Sequence, residues 1–416
     1  MNKQALGQIQ LWFRIGYRNL RRNRRRSLLT ASAIGLGLAA LIVADAVGEG
    51  MLRNLVRTAT RSFLGDGQIH RAGYRELPEV EKTIAGAASV LERLEADPRV
   101  RYAAPRVLTP ATLATTGDLT GVQLVGVDPE RERRISRVDE ALVEGTFFGE
   151  GSSRELLLGA RLAERLEAEL GSRVVATVAE AGTGELRQEL FEVTGIFRFG
   201  AEEFDAALAF IRLEKAQEML GLGEGVHEIA LQLVNEDLGW QRKSSIWQEY
   251  STAGNEAAGW FTLLPELEMS MEIAQYARWI LAVILFAIVA LGIINTLMMA
   301  IFERRFEFGV LRAVGTRASQ VSLMLVGEAA ALGLVANLGG IALAVAFNGL
   351  LSVTGLDYTG IEAMGVTFQE KLYPVMSWTS FWSYPLLVWI LTLLAAAYPA
   401  YRAARLRPAE ALRLGG

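Results

Sequence analysis

Four stretches of this 416-residue chain are long and apolar enough to cross a bilayer, and no other feature constrains its fold as tightly. A transmembrane helix needs about 20 residues. Residues 27–47 carry no charge except Asp45, residues 280–301 and 381–401 carry none, and residues 321–351 hold only Glu328. In hydrocarbon every backbone polar group must be bonded within the segment, so each stretch is read as a helix. With 51% hydrophobic and 21% charged residues, the rest of the chain is too polar to be embedded. The expected architecture is an α-helical membrane protein with four transmembrane helices plus a large α+β extracytoplasmic domain.

Charge is sorted along the chain. Residues 1–26 hold seven Arg and one Lys with no acid; residues 302–320 hold four Arg against two Glu; residues 402–416 hold four Arg against one Glu. The remainder holds 26 basic and 43 acidic residues. Basic loops stay cytoplasmic, so N and C termini are expected inside and residues 48–279 and 352–380 outside. Residues 9–26 read as an amphipathic interfacial helix, with Ile9, Trp12, Phe13, Gly16 and Leu20 opposite Arg14, Arg18, Arg21 and Arg25. Ala44-Asp45-Ala46 resembles a cleavage site, but the apolar run before it is longer than a signal peptide's core of about 7–15 residues.

The chain has no cysteine and two histidines, His70 and His227, which argues against a thiolate or histidine metal site and against histidine acid–base catalysis. No catalytic constellation and no nucleic-acid surface are expected. A phosphate-cradling G-x-x-x-x-G-K-[ST] loop is absent from the sequence, so no cofactor is expected on this chain.

The first span is expected to continue outward, with Met51, Leu52, Leu55, Ala59 and Phe63 in helical register until Gly65-Asp66-Gly67. A second stalk helix is expected to start at Pro265 and run into span two. Between them, 122–127, 155–158, 191–197, 207–213 and 229–234 read as strands, and 82–95 and 160–170 as helices.

Between spans two and three lies a short charged and apolar helix. Phe302, Phe306, Val310 and Ala313 share one face, and Gly315 is a stop. Such a helix is shaped to dock in a groove of a soluble partner, although a solvated loop is an open alternative at this level. Gly35, Ala39, Gly292 and Gly340 are expected to let spans pack closely. Glu328, the acid inside span three, is a functional candidate by position, or else pairs with an arginine such as Arg317.

Residues 295–316 (NTLMMAIFERRFEFGVLRAVGT) resemble the coupling-helix signature of the FtsX-like permeases, the superfamily that includes the MacB and lipoprotein-releasing (LolC/LolE) exporters. Residues 14–20, Gly327-Glu328 and 398–413 are similar to the same family. In 97–170, Asp97–Val100, Gly126–Pro129, Glu144-Gly145 and Leu158–Ala163 resemble the periplasmic domain of lipoprotein-releasing permeases. The resemblance implies a type VII ABC transporter permease in the inner membrane. It would work with a second permease copy or paralogue and a cytosolic ATPase dimer that binds ATP and Mg. Glu303, Arg304, Phe306, Glu307, Gly309, Val310, Leu311, Arg312, Ala313 and Gly315 would form the ATPase-coupling element.

Lipoprotein release to a periplasmic carrier is the function the resemblance implies first. A MacB-like exporter of small amphiphiles or peptides working with an adaptor is the alternative. An FtsX-like relay to a cell-wall hydrolase goes with a shorter outer domain. LolC-type subunits grip the carrier with a protruding hairpin. The stretch Ala179–Glu189 is short for that role, which leaves a partner-type subunit or a homodimeric form. A lipid route is expected along Val43, Val47 and Met51 of span one and Ile284 and Ile288 of span two, because an acyl chain needs a continuous apolar surface worth about 0.8 kcal/mol per methylene.

Overall fold

The computed structural model describes residues 24–149, 152–363, 366–367 and 371–405. The amphipathic helix expected over 9–26 lies almost wholly outside the described residues, as does most of the tail from 402. The described chain divides into a helical unit and an α+β unit, joined by two long helices.

Four helices in the described residues are long and apolar enough to cross a membrane. Span one belongs to helix Arg24–Ala59, span two to Pro265–Glu303, span three to Ala318–Thr354 and span four to Ser380–Ala404. The two stalk continuations are thus unbroken with their spans. The first ends in a π-helical turn, Thr60–Leu64, before Gly65 at φ +76°. In the helical unit, Ile34, Leu38, Ile42, Ile293, Leu297, Ala329, Ala336 and Ala396 form the core.

In the α+β unit the elements are β1 Gly67–Arg71, α1 Ala87–Ala96, β2 Val100–Ala114, β3 Leu119–Val127, α2 Pro129–Ile135, β4 Leu142–Gly145, β5 Glu155–Gly159 and α3 Ala160–Arg165. They continue with β6 Arg173–Ala179, β7 Leu186–Phe197, α4 Glu202–Ala207, β8 Leu208–Arg212, α5 Leu213–Leu220, β9 Glu228–Leu233, α6 Ser245–Tyr250, β10 Asn255–Gly259 and α7 Trp260–Leu263. The sheet order is β10-β1-β9-β2-β3-β8-β5-β7-β4. Because β6 pairs with both β7 and β2, strands β2-β3-β8-β5-β7-β6 close into a ring. The other lobe is β10-β1-β9 laid against the first half of β2.

All five expected strands are present, most of them a residue or more longer. Both expected helices are shorter. The first starts at Ala87 rather than 82, because Gly86 at φ +64° interrupts it and Ile84 donates its N–H to the Val226 carbonyl. The second stops at Arg165, two residues before Glu167 takes φ +49°. Strand β2 was not expected. Pro105 and Pro110 argue against a strand, but each stands where β2 has a neighbour on one side only.

Candidate functional site

Span two ends at Glu303, and Arg304 (φ −107°, ψ 17°) leaves helical geometry before a second helix, Arg305–Ala313. Gly315 then takes φ +100°, a conformation that other side chains rarely adopt, and the chain turns into span three. The two faces of this joint helix differ. Phe308 and Gly309 are buried; Phe306, Val310, Leu311 and Ala313 are exposed. Phe308 packs with Ile301 of span two, Val321, Met324 and Leu325 of span three, and Ala400 and Ala403 of span four. Thus one face anchors the helix on three spans while Phe306 and Val310 are presented to the surroundings; Phe302, expected on the same helix, is exposed but lies in the span-two helix, before the break at Arg304. Gly309, grouped with the docking residues in sequence, faces inward. Glu303 and Gly315 are exposed, and Arg312 is half-buried with Nη1 donating to the Thr316 carbonyl at 3.4 Å.

Charges run inward from the joint. The Arg304 guanidinium donates from Nε to Glu307 (3.0 Å) and from Nη1 to Glu328 (3.2 Å), and lies 5.3 Å from the Phe308 ring centroid. One of the two readings open for Glu328 from the sequence was a pairing with an arginine such as Arg317. Arg317 instead occupies the N-cap of span three, 11 residues and therefore about 16 Å along the axis from Glu328. Arg304, 24 residues away in sequence, is brought alongside by the turn at Gly315.

Of the residues expected to line a lipid route, Ile284 and Ile288 are exposed on span two, while Val43, Val47 and Met51 are half-buried on span one. Ile280, Val283 and Leu291 extend the exposed face of span two. The two spans touch through Thr30 Oγ1 and Thr296 Oγ1 (3.2 Å) and at Gly37, where a Cβ would stand 3.6 Å from Val289. Gly292, expected as a packing glycine, has nothing within 4 Å of a would-be Cβ, because it lies on the exposed face of span two.

A polar knot not read from the sequence joins three spans. Asp45 of span one accepts hydrogen bonds from Ser380 and Tyr384 (3.1 Å) of span four, with Arg278 of span two 3.9 Å away. The signal was present: Asp45 closes an uncharged run, and Arg278 lies just before another.

The α+β unit holds a second knot. Fully buried Arg106 donates to Glu132 from Nε (2.9 Å) and Nη2 (2.6 Å) and to Glu228 from Nη1 (2.7 Å). Its guanidinium lies 4.2 Å from the Phe63 ring centroid, at the end of the first long helix. Both histidines of the chain stack on Tyr74, His70 at 5.5 Å and His227 at 5.3 Å. Burial pushes the His70 pKa down to about 4. Among the described residues no cluster of His, Asp and Glu is arranged to hold a metal ion.

Residues 27–238 match the MacB-like periplasmic core domain family, and residues 279–408 match the FtsX-like permease C-terminal family. The chain belongs to the FtsX/MacB-type permeases. It is 24% identical to the lipoprotein-releasing system transmembrane protein LolC of Neisseria meningitidis serogroup B, over 97% of this chain and 99% of that protein. It is 23% identical to the lipoprotein-releasing system transmembrane protein LolE of Haemophilus influenzae, over 92% and 93%. A pyoverdine export ATP-binding/permease protein, PvdT of Pseudomonas savastanoi pv. phaseolicola, is 24% identical over 94% of this chain but 57% of its own length.

The FtsX/MacB-type permease is therefore a membrane-embedded permease subunit of an ABC transporter. Its β6–β7 hairpin, in the stretch read from the sequence as short for gripping a carrier, turns back on its own unit: Gly182 N donates to Glu81 (2.9 Å), and Arg187 pairs with Glu180 (2.9 Å) beside the turn. Leu186, just past the turn, is exposed.

Proposed function

We propose that this permease lifts lipidated proteins out of the inner membrane and releases them to a periplasmic carrier, driven by ATP and Mg bound on a separate cytosolic ATPase dimer. The observation that carries this reading is the extent of the likeness. The LolC relative is matched from end to end, whereas the ATP-binding exporter is matched over little more than half its length. The exposed Phe306, Val310 and Leu311 of the joint helix supply an apolar face for the ATPase groove. Basic residues at both termini and at the joint support N-in, C-in topology. A second permease copy or paralogue would complete the transporter.

The exposed face of span two, with Ile284 and Ile288, suits an acyl chain rising beside Val43 and Val47 of span one or of the second permease. Photo-crosslinkers at Val43 and Ile284 test this in cells. Capture of a lipidated protein is expected; capture of small hydrophobic compounds alone would favour amphiphile export, the reading that the pyoverdine exporter supports.

A further inference from the structure

Strand β2 pairs with β9 over Val100–Arg106 and with β3 over Arg106–Ala114. Among the described residues, Val100–Pro105 therefore have a strand on the β9 side only. An unpaired edge is a template for another chain, and folded proteins usually cover or charge it. Here its first residues line a groove of about 410 Å³, together with Glu95 of α1 and Arg131 and Arg134 of α2. One side chain bridges the groove: Arg131 Nη1 donates to Glu95 of α1 at 2.6 Å and to the Ala103 carbonyl at 3.5 Å.

Two cations of the groove, Arg101 and Arg134, pair with no carboxylate among the described residues. Arg101 is the extra residue of a β-bulge, between Val100, paired with Leu233, and Tyr102, paired with Gln232. Bulges re-aim side chains. The Arg101 guanidinium stands 5.7 Å from the Tyr102 ring centroid, and that of Arg134 stands 5.6 Å from the same ring. A guanidinium laid on a ring keeps its in-plane N–H groups open to a carboxylate. The acids of the groove are already engaged, Glu95 by Arg131 and Glu130 by Arg133 at 3.8 Å.

We propose that this groove is a docking site for an extended, acidic segment of a partner protein, which adds as a strand to the open edge of β2 at Val100–Ala103 and sets its carboxylates on Arg101 and Arg134. Main-chain hydrogen bonds of an added strand supply affinity, and its alternate side chains supply the choice of partner. The Arg131–Glu95 pair stands in the way, but at 37% and 50% side-chain exposure it is a weak closure that an entering strand displaces. A peptide suits the groove better than a lone anion does, because main chain forms one of its walls.

The test uses the full-length permease in nanodiscs of zwitterionic lipid and reads the fluorescence anisotropy of a fluorescein-labelled peptide of alternating Thr and Glu. Neither ATP nor a transported substrate is added. In a strand the Glu side chains share one face about 7 Å apart. The peptide is expected to bind, with its Thr–Gln counterpart about tenfold weaker and with affinity falling as salt rises. Arg101→Glu/Arg134→Glu should lose the Thr–Glu peptide and take up a Thr–Lys peptide instead, a gain that a misfolded domain would not show. N-methylation of the Thr amides or of the Glu amides gives two further peptides, of which one should bind and the other should not, since only alternate amides of an added strand face its neighbour. The proposal is overturned if the Glu and Gln peptides bind alike, if the charge-reversed permease keeps its preference, or if the two methylated peptides behave alike. It is overturned also if the charge reversal splits a permease dimer, which would make the occupant a second copy, or if phosphatidylglycerol in the nanodisc displaces the Thr–Glu peptide, which would make it a lipid headgroup.

Discussion

Gly340 of span three meets Gly35 of span one backbone to backbone: a Cβ on Gly340 would stand 2.7 Å from the Gly35 carbonyl oxygen. Small residues allow this closeness, and dispersion between touching helices is what holds spans together where no hydrophobic effect operates between them. Gly340→Val is therefore expected to destabilise the helical unit by about 1–3 kcal/mol. Gly292→Val, on the open face, should leave stability unchanged. Thermal unfolding of the detergent-purified permease checks both, and equal effects would refute the packing described.

The joint helix should fail in two different ways. Phe306→Asp puts a carboxylate into the proposed dry ATPase groove, where an unpaired charge costs about 3–5 kcal/mol, so the ATPase should no longer co-purify. The permease itself should unfold as before. Phe308→Ala empties a fully buried site and should destabilise the permease by about 3–5 kcal/mol. Co-purification beside thermal unfolding separates the two outcomes. Retention of the ATPase by Phe306→Asp would show that this face is not the docking surface.

Arg106→Met would strand two buried carboxylates, Glu132 and Glu228, at a cost of about 3–5 kcal/mol. Replacing all three by apolar residues should recover much of that loss. Denaturant unfolding followed by tryptophan fluorescence measures it. A triple variant less stable than Arg106→Met would contradict the account of the knot.

His70 should make the α+β unit acid-sensitive. Its pKa is about 4 in the fold against 6.5 in the unfolded chain, so between these values the unfolded state binds the extra proton. The contribution is complete above about pH 6.5 and is lost as pH falls toward 4, amounting to about 3 kcal/mol. Glu228 works the other way, since burial raises its carboxyl. The difference between the stability profiles of the natural chain and of His70→Gln isolates the histidine. That difference should change across pH 6.5 to 4; a constant offset would sink the prediction.

The spans were legible because hydrocarbon admits few solutions: an uncharged run of 20 residues has to be a helix. The outward face of the joint was also legible, since Phe306 and Val310 stand at helical spacing, but the break at Arg304 that leaves Phe302 in the span-two helix was not. The inward face of the joint was not legible either, because Phe308 declares its burial only against Ile301 and Met324. Glu328 was visible as an oddity, but its partner was not, because the turn at Gly315 brings in Arg304 from 24 residues away. Strand β2 was hidden by Pro105 and Pro110, which are tolerated where a neighbouring strand is missing on one side. The Arg106 knot forms where β2 exchanges β9 for β3 as its partner, a property of register that no local pattern carries.

Release itself is the most direct measurement of the proposed activity. The full-length permease, with its ATPase and any partner permease, is placed in proteoliposomes with an acylated reporter protein, and a carrier protein is added outside. Transfer of the intact acylated reporter to the carrier should require ATP hydrolysis, and the same reporter without its acyl chains should not stimulate turnover. Transfer that proceeds equally without ATP, or ATP-driven export of small amphiphiles with no movement of the acylated reporter, would contradict it.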